Sequence, residues 1–463
     1  MTRVGLLVGL GLSLLGAFSC APGAERPHVI LISIDTLRAD HVGCYGYDRP
    51  TTPAIDALAL ESIRFENAIS QAGWTLPSHM SLMTSLMPSQ HGVTQERALN
   101  PAIVTLAESL QNAGYTTAGF ASWIYVSENY GFGQGFDEYR TLVDTRRLDV
   151  AGGGGAFPAG RVVDAVQGWL SRRGDDPVFL FVHLFDPHMD YVPPGEYAEM
   201  FAEADPPSID GRYETLKRYI RGLNESPASL SPRELHHVES LYDGEIRYVD
   251  SQIEELLASL DASLGLGNCH LILLSDHGEE FMDHGSIEGH GWTLYEEVVH
   301  VPLLWRLPAK ARGGGTVAAP VGLIDVAPTL LDYLQIDAPE AFRGKSRRTA
   351  MEGDESPGYV LSENDRFNIE MRVLRGERYK LIHTADSGRN AAGVPILAGF
   401  ELYDLVKDPA EAVNLYDPED GRSHALVALL EASSGEAGAG VQNPAAELSE
   451  EQLELLRSLG YVQ

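Results

Sequence analysis

The chain has 463 residues, 44% of them hydrophobic, which suits one large α/β domain and a smaller subdomain and argues against disorder. Its 66 acidic residues against 34 basic ones leave a formal net charge of -32, a field that repels nucleic acid and anionic lipid surfaces and excludes both as partners. The same field repels an anionic ester at long range, so a site for such a substrate has to supply local positive charge, most simply a bound cation.

The N-terminus reads as a targeting segment. Met1-Thr2-Arg3 is short and positive, and residues 4–18 are almost wholly apolar yet too short to span a bilayer comfortably. Gly16-Ala17-Phe18-Ser19-Cys20 resembles a bacterial lipobox. On that reading residues 1–20 are a signal peptide and the protein is exported to the cell envelope, periplasmic or on the outer membrane. A lipid on Cys20 would then be its only membrane attachment. A plain cleaved signal peptide is the alternative. Only Cys44 and Cys269 would remain, which is no disulfide framework, and Cys44 reads as a packing residue.

Residues 28–34 form a continuous apolar run, as expected of a parallel strand buried on both faces, and similar runs follow at 116–121, 178–185 and 270–274. Helical stretches lie between them. Thr52-Pro53 opens one that is expected to run to Phe65, and residues 100–113 and 161–172 read the same way. Alternating strands and helices predict a doubly wound, mostly parallel sheet flanked by helices. Ala151 to Gly155 reads as a loop and not a phosphate cradle, since no Lys or Ser/Thr pair follows it. Residues 187–232 are polar and read as an insertion near the cleft. Beyond residue 345 the segments 359–362, 371–375 and 379–383 predict a small antiparallel sheet. Residues 432–448 read as a loose linker, and 449–459 as a short amphipathic helix.

The chemically telling residues fall just past strand ends. Asp35 closes the first run in Ile34-Asp35-Thr36, and Asp276 and His277 close another in Leu274-Ser275-Asp276-His277-Gly278. Ligands of doubly wound sheets bind beyond the carboxyl ends of the strands. Two carboxylates and an imidazole there can converge on one divalent cation. Thr75 precedes Pro77, which suits the first turn of a helix, so its hydroxyl sits where the helix dipole favours an alkoxide. A cation beside it would lower its pKa, as zinc does for water. One such Asp alone would more often cap a turn; the ordered set says more.

Trp74-Thr75-Leu76-Pro77-Ser78-His79 resembles the sulfatase signature, in which a Cys or Ser is followed by x-Pro-Ser-Arg and an apolar helix. Further pieces occur in order: Thr52-Pro53-Ala54-Ile55-Asp56, His183-Leu184-Phe185-Asp186-Pro187-His188, Gly289-His290-Gly291, Ile324-Asp325-Val326-Ala327-Pro328-Thr329 and Leu402-Tyr403-Asp404-Leu405. Together they resemble the sulfatase branch of the alkaline-phosphatase superfamily over nearly all of the mature chain. The resemblance implies a catalytic domain over 27–345, a C-terminal subdomain over 346–430, and a linker and terminal helix over 431–463. It implies that Asp35, Asp276, His277 and Thr75 bind the metal and that Thr75 is the nucleophile. His188 would be the general acid. His290 would face the substrate's free oxygens, and His79 stands in for the arginine that steadies the nucleophile. His183, His284 and Asp186 would surround this set, or join His188 and His290 in a second metal site.

Three departures from the family pattern shape the expected reaction. The second of two adjacent aspartates is here Thr36, and with His277 in the shell this moves the metal preference from calcium or magnesium toward zinc or manganese. The motif arginine is His79. Thr75 carries a methyl on Cβ, so the oxidation that makes formylglycine would yield only a ketone. Threonine also lacks the second hydroxyl with which a formylglycine hydrate expels sulfate, whereas water can attack phosphothreonine at phosphorus. The expected activity is cleavage of a sulfate or of a phosphate or phosphonate ester, phosphorus slightly favoured, on a small, glycan-linked or lipid-linked substrate. A phosphoryl-headgroup transferase on the same site is the alternative, as is an envelope lipoprotein that binds an anionic ligand without turnover.

Overall fold

Apolar runs that alternate nothing and bury both faces become strands within a residue of where the pattern puts them: β1 (His28–Ile34), and later Thr116–Ala121, Val178–Leu184 and Cys269–Ser275. The computed structural model describes residues 26–143, 158–220, 230–287, 290–308, 314–354, 358–390, 393–433 and 443–458. The signal and lipobox reading of residues 1–20 and the glycine loop at 151–155 lie outside the described residues.

In chain order the other strands of the main sheet are β2 (Ile63–Phe65), β3 (Thr116–Ala121), β4 (Glu138–Thr141), β5 (Val178–Leu184), β6 (Cys269–Ser275), β7 (Leu303–Arg306) and β8 (Gly315–Val317). Their spatial order is β8-β2-β7-β6-β1-β5-β3-β4. β1 lies between β5 and β6 and is parallel to both, and only β7 runs against its neighbours. Alternation along β1 divides the core. Val29 and Leu31 pack with α2 (Thr75–Thr84) and α3 (Leu106–Asn112) on one face. Ile30, Ile32 and Ile34 pack with α1 (Pro53–Ala59), α4 (Ala159–Leu170) and α5 (Pro232–Leu264) on the other. Both faces are covered, as a parallel sheet requires.

Three elements differ from the expectation. The helix expected over 52–65 stops at Ala59, and residues 63–65 pair with β7 and β8 as the short strand β2. The helix expected from 100 starts at Leu106, because Thr105 accepts the Glu108 N–H while Glu108 returns to the Thr105 N–H, a reciprocal cap. The 33-residue α5, the longest helix among the described residues, has no counterpart in the sequence reading: it starts where the polar stretch over 187–232 ends, at Ser231-Pro232-Arg233-Glu234, which carries the same cap with proline at the first turn.

Beyond the main sheet, Val360–Asn364 (β9), Met371–Arg375 (β10), Tyr379–Thr384 (β11) and Gly399–Asp404 (β12) form an antiparallel sheet in that order, one strand more than expected. The chain then returns to the large unit. Its last helix, Glu450–Ser458, buries Leu455 and Leu456 in the same core as Trp123 and Leu106. Among the described residues no helix is long and apolar enough to cross a membrane.

Candidate active site

The carboxyl ends of β1 and β6 are neighbours, so Asp35 and the pair Asp276–His277 leave the sheet side by side. All three are completely buried, and one ligand atom from each lies within 4.8 Å of the others, the one such group among the described residues. Asp35 Oδ1 and Asp276 Oδ2 are 3.5 and 3.4 Å from His277 Nε2. Thr75 opens α2 with its Oγ1 3.3 Å from both Asp35 Oδ2 and His277 Nε2.

The donor set fits a divalent cation on three grounds. Asp35 Oδ1 and Asp276 Oδ2 are buried without a hydrogen bond, and an orphaned buried carboxylate oxygen is costly unless something positive meets it. His277 Nδ1 lies 2.8 Å from the Gly278 carbonyl, which can only accept, so the proton is on Nδ1 and the Nε2 lone pair faces the carboxylates. Nor do the imidazoles supply the missing charge. Burial lowers His277 to about 4 and His188 and His290 to about 3, and holds His183 well below its usual value. Burial and the neighbouring Asp276 drive Asp35 well up from the usual carboxyl range.

The surroundings of this group are rigid. Thr36, a β-branched residue, adopts φ 55°, in the left-handed region where such side chains are strained. Its N–H donates to Asp276 Oδ1 at 3.3 Å, and its carbonyl accepts from Tyr242 of α5 at 2.7 Å. The unforeseen helix thus props the turn that carries Asp35. His79 lies one turn into α2 with Nδ1 2.9 Å from the Thr75 carbonyl and Nε2 2.9 Å from Ser33 Oγ. It braces the start of α2 from beneath. His183 Nε2 approaches Asp35 Oδ2 at 3.1 Å.

On the open side, His188 and His290 stand edge to face with centroids 5.0 Å apart, and His290 lies 4.9 Å from the His277 ring. His188 Nδ1 donates to the Met189 carbonyl at 2.9 Å, which puts its proton on Nδ1. The residue that sequence reasoning missed is Glu279. It is fully buried, accepts from His290 Nδ1 at 2.9 Å and from the Tyr191 hydroxyl at 3.1 Å, and so orients His290. Its place directly after Asp276-His277-Gly278 was the available signal. Two candidates fall elsewhere. Asp186 accepts the Ala159 N–H at the start of α4, and His284 pairs with Glu297 at 2.7 Å while stacking on Tyr295. Neither surrounds the Thr75 group.

Comparison with known proteins agrees with this geometry. The sulfatase family profile matches residues 27–336, and the profile described as N-sulphoglucosamine sulphohydrolase, C-terminal, matches residues 289–433. The uncharacterized sulfatase YidJ of Escherichia coli (strain K12) is 26% identical over 444 residues, covering 88% of this chain and 87% of its own. An N-acetylglucosamine-6-O-sulfatase of Bacteroides thetaiotaomicron is 23% identical over 517 residues, 91% of this chain and 89% of its own. A solved structure in complex with its substrate D-glucosamine-2-N,6-O-disulfate is similar with TM-score 0.74 at 20% identity, over 90% of this chain and 100% of the other. The phosphonate monoester hydrolase of Agrobacterium radiobacter is similar with TM-score 0.70 at 22% identity, over 88% and 95%. Such distant structures speak for the fold. The family profile, spanning more than half of the chain, speaks for descent, and enzymes of that family use a divalent metal ion. A buried acid–imidazole group at adjacent strand ends, beside a hydroxyl on a helix N-terminus, is what that descent leads one to find: the chain belongs to the sulfatase family of ester hydrolases.

Proposed function

We propose that this family member cleaves a phosphate or phosphonate ester, or secondarily a sulfate ester, by in-line attack of Thr75. The observation that carries the reading is the position of Thr75 Oγ1, buried at the start of α2 and 3.3 Å from both Asp35 and His277. Asp35, Asp276 and His277 would hold a divalent cation, zinc or manganese before calcium or magnesium, since an imidazole joins the carboxylates. Bound there, the ion supplies the positive charge that makes Thr75 acidic and offsets charge on the reacting group.

The chain's own residues carry the remaining steps. Thr75 stands at the positive end of the α2 dipole, which favours its oxygen as it becomes an alkoxide. His79 fixes the Thr75 backbone through its carbonyl, which holds the hydroxyl in line. His290, steered by Glu279, faces the free oxygens of the bound group. His188 serves the leaving group through Nε2. Burial holds it near 3 in the free chain, so it has to gain its proton as an anionic ester arrives beside it. Water then releases the acid from Thr75.

Threonine supports phosphorus over sulfur, because only the phosphoryl ester of Thr75 is readily hydrolysed without a second hydroxyl. The sulfate reading keeps its own support in the C-terminal match to N-sulphoglucosamine sulphohydrolase and in the amino-sugar sulfatase relatives. On either reading residues 27–345 carry the chemistry, the subdomain over 346–430 shapes the substrate, and the leader directs export.

Turnover of matched nitrophenyl sulfate, phosphate monoester, phosphate diester and phosphonate, each with zinc, manganese, calcium or chelator, tests the proposal. Phosphorus-ester hydrolysis that needs metal and falls at least about 10³-fold in Thr75→Ala is the expected result. Full activity in Thr75→Ala, or a covalently modified residue 75 in the intact protein's mass, would overturn it.

A further inference from the structure

Where the C-terminal sheet meets the large unit, the structure leaves a cavity of about 1050 Å³. It lies between β9, the chain just past α2 at Leu86 and Met87, and the segment 341–347. Seams between two units are a preferred place for small-molecule sites, and this volume is at the upper end of their usual range. The Thr75 group is not part of it. Leu86 follows the far end of α2 from Thr75, and a ten-residue helix is about 15 Å long.

The lining reverses the charge balance of the chain. It carries Arg97, Arg343, Lys345 and Arg347 against two carboxylates, Asp325 and Glu363, whereas the whole sequence has 34 basic residues against 66 acidic ones. Both carboxylates are engaged. Asp325 Oδ2 pairs with Arg347 at 2.7 Å, and Glu363 accepts the Ser89 N–H at 3.0 Å. Among the described residues Arg97, Arg343 and Lys345 form no ion pair, and Arg343 donates to the Glu340 carbonyl at 3.2 Å. At physiological salt, charges more than about 8 Å away are largely screened, so acids elsewhere on the chain do not cancel this local field.

The segment that carries three of these cations is fixed, although residues 343–347 belong to no helix or strand. The Arg343 N–H donates to the Ser85 carbonyl at 2.8 Å and the Gly344 N–H to Ser85 Oγ at 3.1 Å. The Lys345 N–H donates to Asp325 Oδ1 and the Arg347 N–H to Thr329 Oγ1, each at 2.8 Å. A Cβ at Gly344 would collide with the Ile324 carbonyl, so only glycine lets the segment lie this close. With the backbone already held, binding costs only the ordering of side chains. We propose that the cavity is a second, non-catalytic site for a small molecule bearing two or more oxyanion groups, sulfate, phosphate or carboxylate. Leu86, Ile103 and Leu361 in the same lining suit a ring or hydrocarbon body between those groups.

Calorimetric titration of the metal-free protein tests this with sucrose octasulfate, pyrophosphate and citrate, and with sucrose as the neutral control. At least one of the three anions is expected to bind while sucrose does not, and the tightest of them names the oxyanion. Arg343→Gln and Lys345→Gln should each weaken that binding about 10-fold, the size of a lost charge-assisted contact. Both side chains are exposed, so thermal unfolding without ligand should stay as in wild type. Lys407→Gln, which removes an exposed charge elsewhere, and Thr75→Ala should bind as wild type does. The site is overturned if none of the three anions binds, if sucrose binds equally well, or if binding ignores Arg343 and Lys345. An equal loss in Lys407→Gln, or a loss in Thr75→Ala, counts against it in the same way.

Discussion

Two buried charged clusters, one at the Thr75 site and one at the joint with the C-terminal sheet, are built to opposite rules. In the joint that fastens the C-terminal sheet, Lys380 reaches Glu411 at 3.0 Å and Glu296 at 3.2 Å, while Arg375 reaches Glu296 at 3.0 Å. Two cations meet two carboxylates. At the Thr75 site Asp35 and Asp276 meet His183 and His277, which burial holds below the usual imidazole range. Evolution balanced the first cluster within the chain and left the second short of positive charge. An uncompensated buried acid pair is a poor way to hold a fold together and a good way to hold a cation.

The contrast breaks most visibly at the joint. Lys380→Met leaves Glu411 and Glu296 buried with less compensation, and should cost about 3–5 kcal/mol in denaturant unfolding, a loss that divalent ions do not specifically repair. The site should behave in the reverse sense. Wild type is expected to gain about 2.7 kcal/mol of stability at a metal concentration a hundred times the Kd. Asp35→Asn should lose that gain while being at least as stable as wild type in chelator, since it removes a buried charge. Thermal unfolding with and without metal reads both.

Smaller effects sharpen the picture around each cluster. Glu279→Gln keeps the shape of the group that orients His290 but not its charge, and should lower kcat/KM about 10- to 100-fold with metal affinity little changed. Glu280, next in the chain to Glu279, accepts the N–H groups of His284 and Ser286, and is pushed up from 4.5 to about 8 by burial and by Glu297. The folded state therefore binds this proton more tightly than the unfolded one. That contribution is whole below the unfolded value of 4.5 and is lost as pH rises through about 8. Allowing for relaxation, Glu280→Gln should gain about 1 kcal/mol over wild type at pH 9 relative to pH 5, measured as the difference in unfolding free energy.

Legibility followed the physics of each element. Strands buried on both faces announce themselves as apolar runs, and so β1 and β3 were readable to the residue. β2 was not, because three residues carry no period, and it was read as the end of a helix. α5 was not read at all, although its cap was written in Ser231 and Glu234 at the end of the polar stretch. At the site, Asp35, Thr75, Asp276 and His277 were readable because strand ends and a helix start gather them by topology. Glu279 was not, since what it does depends on His290, a partner eleven residues along the chain.

The final helix has a consequence for how the protein is made. Leu455 and Leu456 complete the core around Trp123 and Leu106, more than 300 residues upstream of them. As the chain leaves the ribosome, that core waits for two of its side chains until residues 455 and 456 have emerged. A chain cut before residue 455 leaves that part of the core without two of its apolar side chains.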